Sequence, residues 1–322
     1  MAISSQVCQP KFSIVSMIEA HHISKYFGNY HALKDLNFSV SKGETLGIMG
    51  ANGAGKSTLF HILASLDDAF EGEIHIDGND LRKNKRKIRE KLGYVPGRFS
   101  LYTDLTVAEN LSFFASAYGC DVKGIDSFCP ELWKSLEPFS HQLTKNLSGG
   151  MKQKLAVCCA LVHKPQLLLL DEPTTGIDPL SRHVLWQELK SLQSKGMTII
   201  ISTHYLEEAA IADRILFLHE GRRLMLDLPE NILAGYEKKL LALSGYPVQQ
   251  LFQILSDMPH SGGCYIRGEK LFLALPLNLP SKIVREFILE QGLANVNLEE
   301  VAPDVEDVFI DRLVEYQKEK ML

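Results

Sequence analysis

Gly50-Ala51-Asn52-Gly53-Ala54-Gly55-Lys56-Ser57-Thr58, GANGAGKST, is the stretch on which the fold turns. It satisfies GxxxxGK[ST] in full. Before it stands the apolar run GETLGIM (Gly43–Met49), which reads as a strand, and after it LFHILASL (Leu59–Leu66), which has helical spacing. In a strand–loop–helix context the glycines let successive backbone N–H groups point inward and cradle phosphate oxygens, and the helix N-terminus adds positive potential. Lys56 is then placed to reach β- and γ-phosphates, and the Ser57 hydroxyl to ligate Mg2+. The competing reading is a glycine turn that happens to precede Lys-Ser, and the flanking strand and helix disfavour it.

A loop that holds phosphate needs a carboxylate for the metal. LLLLDEP provides one: Leu167–Asp171 is a continuous apolar run, as in a strand buried on both faces, and it ends in Asp171 followed at once by Glu172. Asp171 is the candidate Mg2+ ligand, direct or through water, and Glu172 the candidate base for an attacking water. Two acidic residues at a strand end are common, so the pair gains its meaning from the phosphate loop.

Working outward, short apolar runs alternate with helical patterns from residue 18 to about 232, among them GEIHIDG, LGYV, MTIIIST and the hairpin-like RILFLHEGRRLM. This alternation predicts an α/β domain with a parallel core sheet. The last ninety or so residues read strand (KLLALS), helix (VQQLFQILSDM), strand (CYIRG), strand (KLFLALP), helix (SKIVREFILEQG), strand (NVNLEEV), a βαββαβ order of the ferredoxin-like type. A final amphipathic helix, DVEDVFIDRLVEYQKEK, follows. The expected organisation is a disordered extension over 1–16, an α/β domain carrying the phosphate loop over 17–235 and an accessory α+β domain over 236–322. The first sixteen residues lack the basic and apolar regions of a signal peptide.

Composition narrows the function classes. A net charge of -5 argues against nucleic acid as the main partner, and no apolar run approaches the length of a membrane span. The six cysteines form no CxxC pair, and Cys158-Cys159 sit in the apolar run LAVCCALVH, where core packing explains them. Scattered thiols without a disulfide framework suit a reducing cytosol. The basic run Arg82–Lys91 is read as a solvated helix face, and His21, His22, His61, His141 and His163 have no partners at metal-ligand spacing.

Leu147-Ser148-Gly149-Gly150-Met151-Lys152-Gln153 alone would be a Ser-Gly-Gly turn opening a helix. Together with GANGAGKST and LLLLDEP it resembles the LSGGQ signature of ABC transporter ATP-binding domains, over roughly residues 18–232. The resemblance implies a P-loop NTPase of the ABC type, with a RecA-like parallel core and antiparallel β and helical subdomains. It implies ATP and Mg2+ as ligands: ATP at Gly50, Asn52, Gly53, Ala54, Gly55, Lys56, Ser57 and Thr58, the adenine stacked on Phe27 with Tyr26 as fallback, and Mg2+ at Ser57 and Asp171. Glu172 is the implied base and His204, in STH, the switch histidine. Asp178, in TGID, falls in the D-loop. Head-to-tail dimers, homo- or heterodimeric, would close Ser148, Gly149 and Gly150 of one subunit over ATP held by the other.

Two positions depart from the pattern: Met151 replaces the signature Gln, in a form resembling drug and ABC-2-type export ATPases, and Gly97 in GYVPGRFSLY stands where the Q-loop glutamine belongs. The implied partner is a separate membrane permease, and the implied place the cytoplasmic face of the cell membrane, bound peripherally. The segments LSGGMKQKLA and DVEDVFIDRL lean towards export. A soluble ABC ATPase acting on ribosomes or DNA, or a regulatory domain with impaired coupling, stays open as the alternative.

Overall fold

The structure, a computed structural model, describes residues 16–205, 208, 211–256, 258, 262–293 and 295–321. The extension expected over 1–16 therefore lies outside the described residues, apart from Ser16, which opens the first strand. The chain divides into two compact units, Met1–His204 with Leu218–Arg223, and Tyr205–Phe217 with Leu224–Leu322.

In the first unit, β1 (Ser16–Phe27) and β2 (Tyr30–Ser41) form a hairpin around Gly28-Asn29, with Phe27 and Tyr30 as cross-strand partners beside the turn. Strand β4 (Glu71–Ile76) and the short β5 (Asn79–Asp80) join them in an antiparallel sheet of order β2-β1-β4-β5. Asp77, in the turn between β4 and β5, forms ion pairs with Lys42 and Lys91 and so ties this sheet to the strands that follow those lysines.

The central sheet carries β3 (Thr45–Met49), β6 (Leu92–Val95), β7 (Leu167–Asp171) and β8 (Thr198–Thr203) in the order β3-β8-β7-β6, all parallel. Every residue of β3, β7 and β8 is buried, which explains why their sequences run apolar without alternation. Each fully buried leucine or isoleucine contributes roughly 1.5–3 kcal/mol. The same sheet continues past β3 with β9 (Arg214–His219) and β10 (Arg222–Asp227).

Helix α1 (Lys56–Leu63) follows β3, and α2 (Lys85–Arg89) precedes β6. The basic run around α2 is largely held by internal partners: Lys85 pairs with Asp68, Lys87 bonds Asn79, and Arg89 donates to the Ser65 side chain and carbonyl. A helical region comprises α3 (Val107–Ala117), α4 (Ile125–Phe128), α5 (Pro130–Leu136) and α6 (Gly149–Leu161), and α7 (Pro179–Ser194) leads to β8. One core joins Leu111, Leu132, Val157, Cys158, Trp186 and Leu189 with the flanks of β6, β7 and β8. Cys158 and Cys159 are buried there, as their apolar setting predicts, and Cys158 Sγ lies 3.7 Å from Cys129 Sγ. The hydrogen-bonded Cys129 thiol, together with burial, pushes the Cys158 thiol well up.

The second unit contains α8 (Pro229–Ala234), β11 (Lys238–Ser244), α9 (Val248–Leu255), β12 (Cys264–Arg267), β13 (Lys270–Pro276), α10 (Lys282–Glu290), β14 (Asn297–Val301) and α11 (Val305–Met321). Its sheet has the order β12-β13-β11-β14 with antiparallel neighbours. Leucines on one face pack against α9 and α10, whereas Leu240, Ala242, Tyr265 and Phe272 belong to a separate cluster that includes Ile310 of α11. Helix α11 is pinned by buried carboxylates. Asp307 accepts from the Tyr265 hydroxyl and lies 3.0 Å from Arg267, and Asp311 accepts from Lys238 at 2.6 Å and from the Gly263 N–H at 2.9 Å.

Candidate active site

The parallel strands β3, β7 and β8 deliver their carboxyl ends to one edge of the sheet, where open α/β sheets bind ligands. Four polar side chains converge there: Lys56 after β3, Asp171 and Glu172 at the end of β7, and His204 directly after β8. Gly55 caps α1 in the left-handed region, with φ of 106°, and a Cβ at this position would lie 2.8 Å from the Ala32 carbonyl oxygen. Only glycine satisfies both demands.

Lys56 is 5% exposed, and its ammonium donates to the carbonyls of Gly50 at 2.7 Å and Ala51 at 3.3 Å. Its Nζ also lies 3.2 Å from Glu172 Oε1. Asp171 is buried and accepts from the Ser202 hydroxyl at 2.5 Å. The same hydroxyl accepts from the Glu172 N–H at 2.8 Å, so one serine orients both acidic residues. Glu172 adopts a left-handed φ of 49°, uncommon for a residue with a side chain. That conformation turns its carboxylate towards Lys56 and towards His204, whose Nδ1 is 3.8 Å from Glu172 Oε2.

Two adjoining cavities meet at these residues. The smaller, about 200 Å3, is lined by Tyr30, Ala32, Asn52, Gly53, Lys56 and Ser57 among others, and Glu172 borders it. The larger, about 560 Å3, is lined by Asn52, Ser57, His61, Pro96, Gly97, Arg98, Asp171 and Glu172. The phosphate loop and the acidic strand end thus share one site, and Ser57 and Asp171 face a common space. A hydroxyl and a carboxylate are oxygen donors suited to a hard divalent cation, so the residues present fit Mg2+.

The remaining expected site residues are distributed as follows. Phe27 is exposed, has Lys25 Nζ 4.9 Å from its ring centroid, and does not line the smaller cavity. Tyr30, its cross-strand partner, does line it, and the Tyr30 hydroxyl reaches the Gly53 carbonyl at 3.4 Å. Sequence reasoning missed Tyr30; an aromatic directly after the Gly28-Asn29 turn was the available signal. Tyr26 stacks on His31 at 4.0 Å instead.

Ser148 caps α6 by accepting from the Met151 N–H at 3.3 Å. A Cβ on Gly150 would lie 2.8 Å from Ser181 Oγ and 3.4 Å from Asp178 Oδ2. Gly150 therefore lies beside Asp178, and none of Ser148, Gly149 and Gly150 lines either cavity. Asp178 caps α7, and its hydrogen bonds from the Ser181 backbone and side chain hold its carboxyl below the ordinary range. At Gly97 a Cβ would lie 3.2 Å from the Asp171 carbonyl oxygen, so this loop meets the acidic strand as bare backbone. Tyr94, nearby on β6, has its phenol pushed up by burial and by the Asp171 charge.

Comparison with known proteins gives concordant matches. The ABC transporter family model matches residues 33–175. The chain is 38% identical over 221 residues to the probable multidrug ABC transporter ATP-binding protein YbhF of Escherichia coli (strain K12), covering 68% of this chain and 38% of that protein. The chain thus spans well under half the length of that relative. It is 34% identical over 307 residues to the Nod factor export ATP-binding protein I of Rhizobium sp. (strain N33), covering 94% of this chain and 98% of that one. Among solved structures it resembles the dimeric post-hydrolysis state of the ATP-binding cassette MJ0796 bound to ADP and Pi. The TM-score is 0.59 at 31% identity, over 66% of this chain and 98% of that chain.

Proposed function

The chain belongs to the ABC transporter family of ATP-binding proteins, and from that premise we propose that it binds and hydrolyses ATP to power export through a separate membrane permease. The observation that carries the proposal is the convergence of Lys56, Asp171, Glu172 and His204 at one sheet edge beside the phosphate loop. Lys56 would exchange its contacts with Gly50, Ala51 and Glu172 for β- and γ-phosphate oxygens, which releases the Glu172 carboxylate to take a proton from water. His204 would bond the γ-phosphate. Ser57 and Asp171 would hold Mg2+, which supplies charge neutralisation at the phosphates. Phe27 and Tyr30, at the hairpin tip, frame the side from which adenine would stack.

The separation of Ser148, Gly149 and Gly150 from both cavities supports a site completed in trans, two subunits closing head to tail around two nucleotides. Homologues named for export support the direction of transport, and the cargo is left to the permease. Among the described residues no helix is long and apolar enough to cross a membrane, so attachment to the inner face of the membrane would run through that partner. The βαββαβ tail is proposed as a regulatory or dimer-assisting domain.

The test is Glu172→Gln. The amide keeps the shape of the side chain and removes the base, so ATP should drive the variant into a stable dimer, read by size-exclusion chromatography, with turnover lost. Near-wild-type turnover would refute the assignment of Glu172.

A further inference from the structure

We propose that His61 is a positioning residue for the divalent cation of this site, its imidazole accepting a hydrogen bond from a metal-bound water. The inference rests on the ATP and Mg2+ reading above and deepens it. Ser57 and His61 are both in α1 and four residues apart, which places them on one helix face. Both line the larger cavity together with Asp171 and Glu172.

The other polar side chains around that cavity are engaged or unsuited. Asp171, which accepts from Ser202 through Oδ1 alone, is taken up as a direct ligand of the cation, and Glu172, once Lys56 leaves it for phosphate, is taken up by the attacking water. Arg98 carries five donors and no acceptor. Asn52 also borders the smaller cavity, where the phosphates belong. Gly97 contributes only backbone, because a Cβ there would press on the Asp171 carbonyl. His61 remains as an exposed side chain with no partner among the described residues, and a neutral imidazole offers one lone pair. Mg2+ keeps several of its waters when bound. A water fixed by a protein acceptor makes the coordination shell more ordered, and such outer partners commonly matter tenfold or more for metal affinity.

The experiment titrates Mn2+ into the full chain loaded with a non-hydrolysable ATP analogue and follows binding by electron paramagnetic resonance. His61→Ala should lower Mn2+ affinity by about ten-fold, while analogue binding in EDTA stays unchanged. His61→Gln, which restores an acceptor oxygen, should recover most of the loss. Unchanged Mn2+ affinity in His61→Ala overturns the proposal. So does an equal fall in metal-free analogue binding, or a His61→Gln variant as weak as His61→Ala. If the wild-type chain binds no analogue, the ATP reading itself fails, a result distinct from those.

Discussion

Individual residues at the phosphate site have separable jobs. Lys56 is buried and, among the described residues, its charge is met by carbonyls and by Glu172, so its removal leaves the loop without a cation to meet phosphate. Charge-assisted hydrogen bonds contribute about 1.5–3 kcal/mol each. Lys56→Ala should therefore weaken ATP binding by at least about ten-fold, measured by titration with a fluorescent nucleotide. Gly97→Ala should behave differently. Its new methyl would stand 3.2 Å from the Asp171 carbonyl oxygen, beside the carboxylate proposed to hold the cation. The expected result is a higher Mg2+ requirement for turnover with metal-free nucleotide affinity unchanged, and a fall in metal-free affinity would contradict it. The motif glycines and Lys56 were legible in the sequence because their chemistry is local. Tyr30 was not, because its place at the cavity depends on the register of β1 against β2.

At the scale of elements, the site depends on strands held in register and helices started at fixed points. Helix α3 opens with a full capping box, Thr106 accepting from the Glu109 N–H while the Glu109 carboxylate accepts from the Thr106 N–H. Thr106→Ala should lower stability by about 1 kcal/mol, read in a urea titration. The turn after β4 offers a pH test. The hydrogen bonds from Lys42 and Lys91 hold the Asp77 carboxyl below its ordinary value of 3.8. A depressed folded-state pKa means the ionised form stabilises the fold above the unfolded pKa, and that stabilisation is lost as pH falls through the folded pKa. Wild type should thus exceed Asp77→Asn in urea midpoint at neutral pH, and the gap should close below pH 3.8. A gap that persists at low pH would assign the effect to packing. The buried strands β3, β7 and β8 were readable from unbroken apolar runs. The pinning of α11 was not, since Asp307 and Asp311 look like ordinary surface acids until Tyr265, Arg267 and Lys238 are brought beneath them.

For the whole molecule, the composite-site reading makes a prediction that single residues cannot. Ser148 lines neither cavity, so Ser148→Arg should leave ATP binding by the monomer intact and abolish ATP-driven dimerisation of Glu172→Gln chains. Mixing Lys56→Ala chains with Ser148→Arg chains should restore part of the ATPase activity. In the mixed dimer one site joins an intact phosphate loop to an intact signature. Failure of the mixture, with each chain folded, would argue for sites complete within one subunit.

The sequence by itself determined the chemistry at stake: a phosphate loop, an acidic strand end and a signature turn, each written in fewer than ten contiguous residues and therefore set by local backbone geometry. It also determined the α/β class, because fully buried parallel strands leave unbroken apolar runs. Only the tertiary structure decided that Ser57, His61, Asp171 and Gly97 line one cavity, and that Gly150 sits against Ser181 and lines neither cavity. Those neighbours are separated by as many as a hundred or so residues along the chain, and strand order, which no local pattern encodes, is what brings them together.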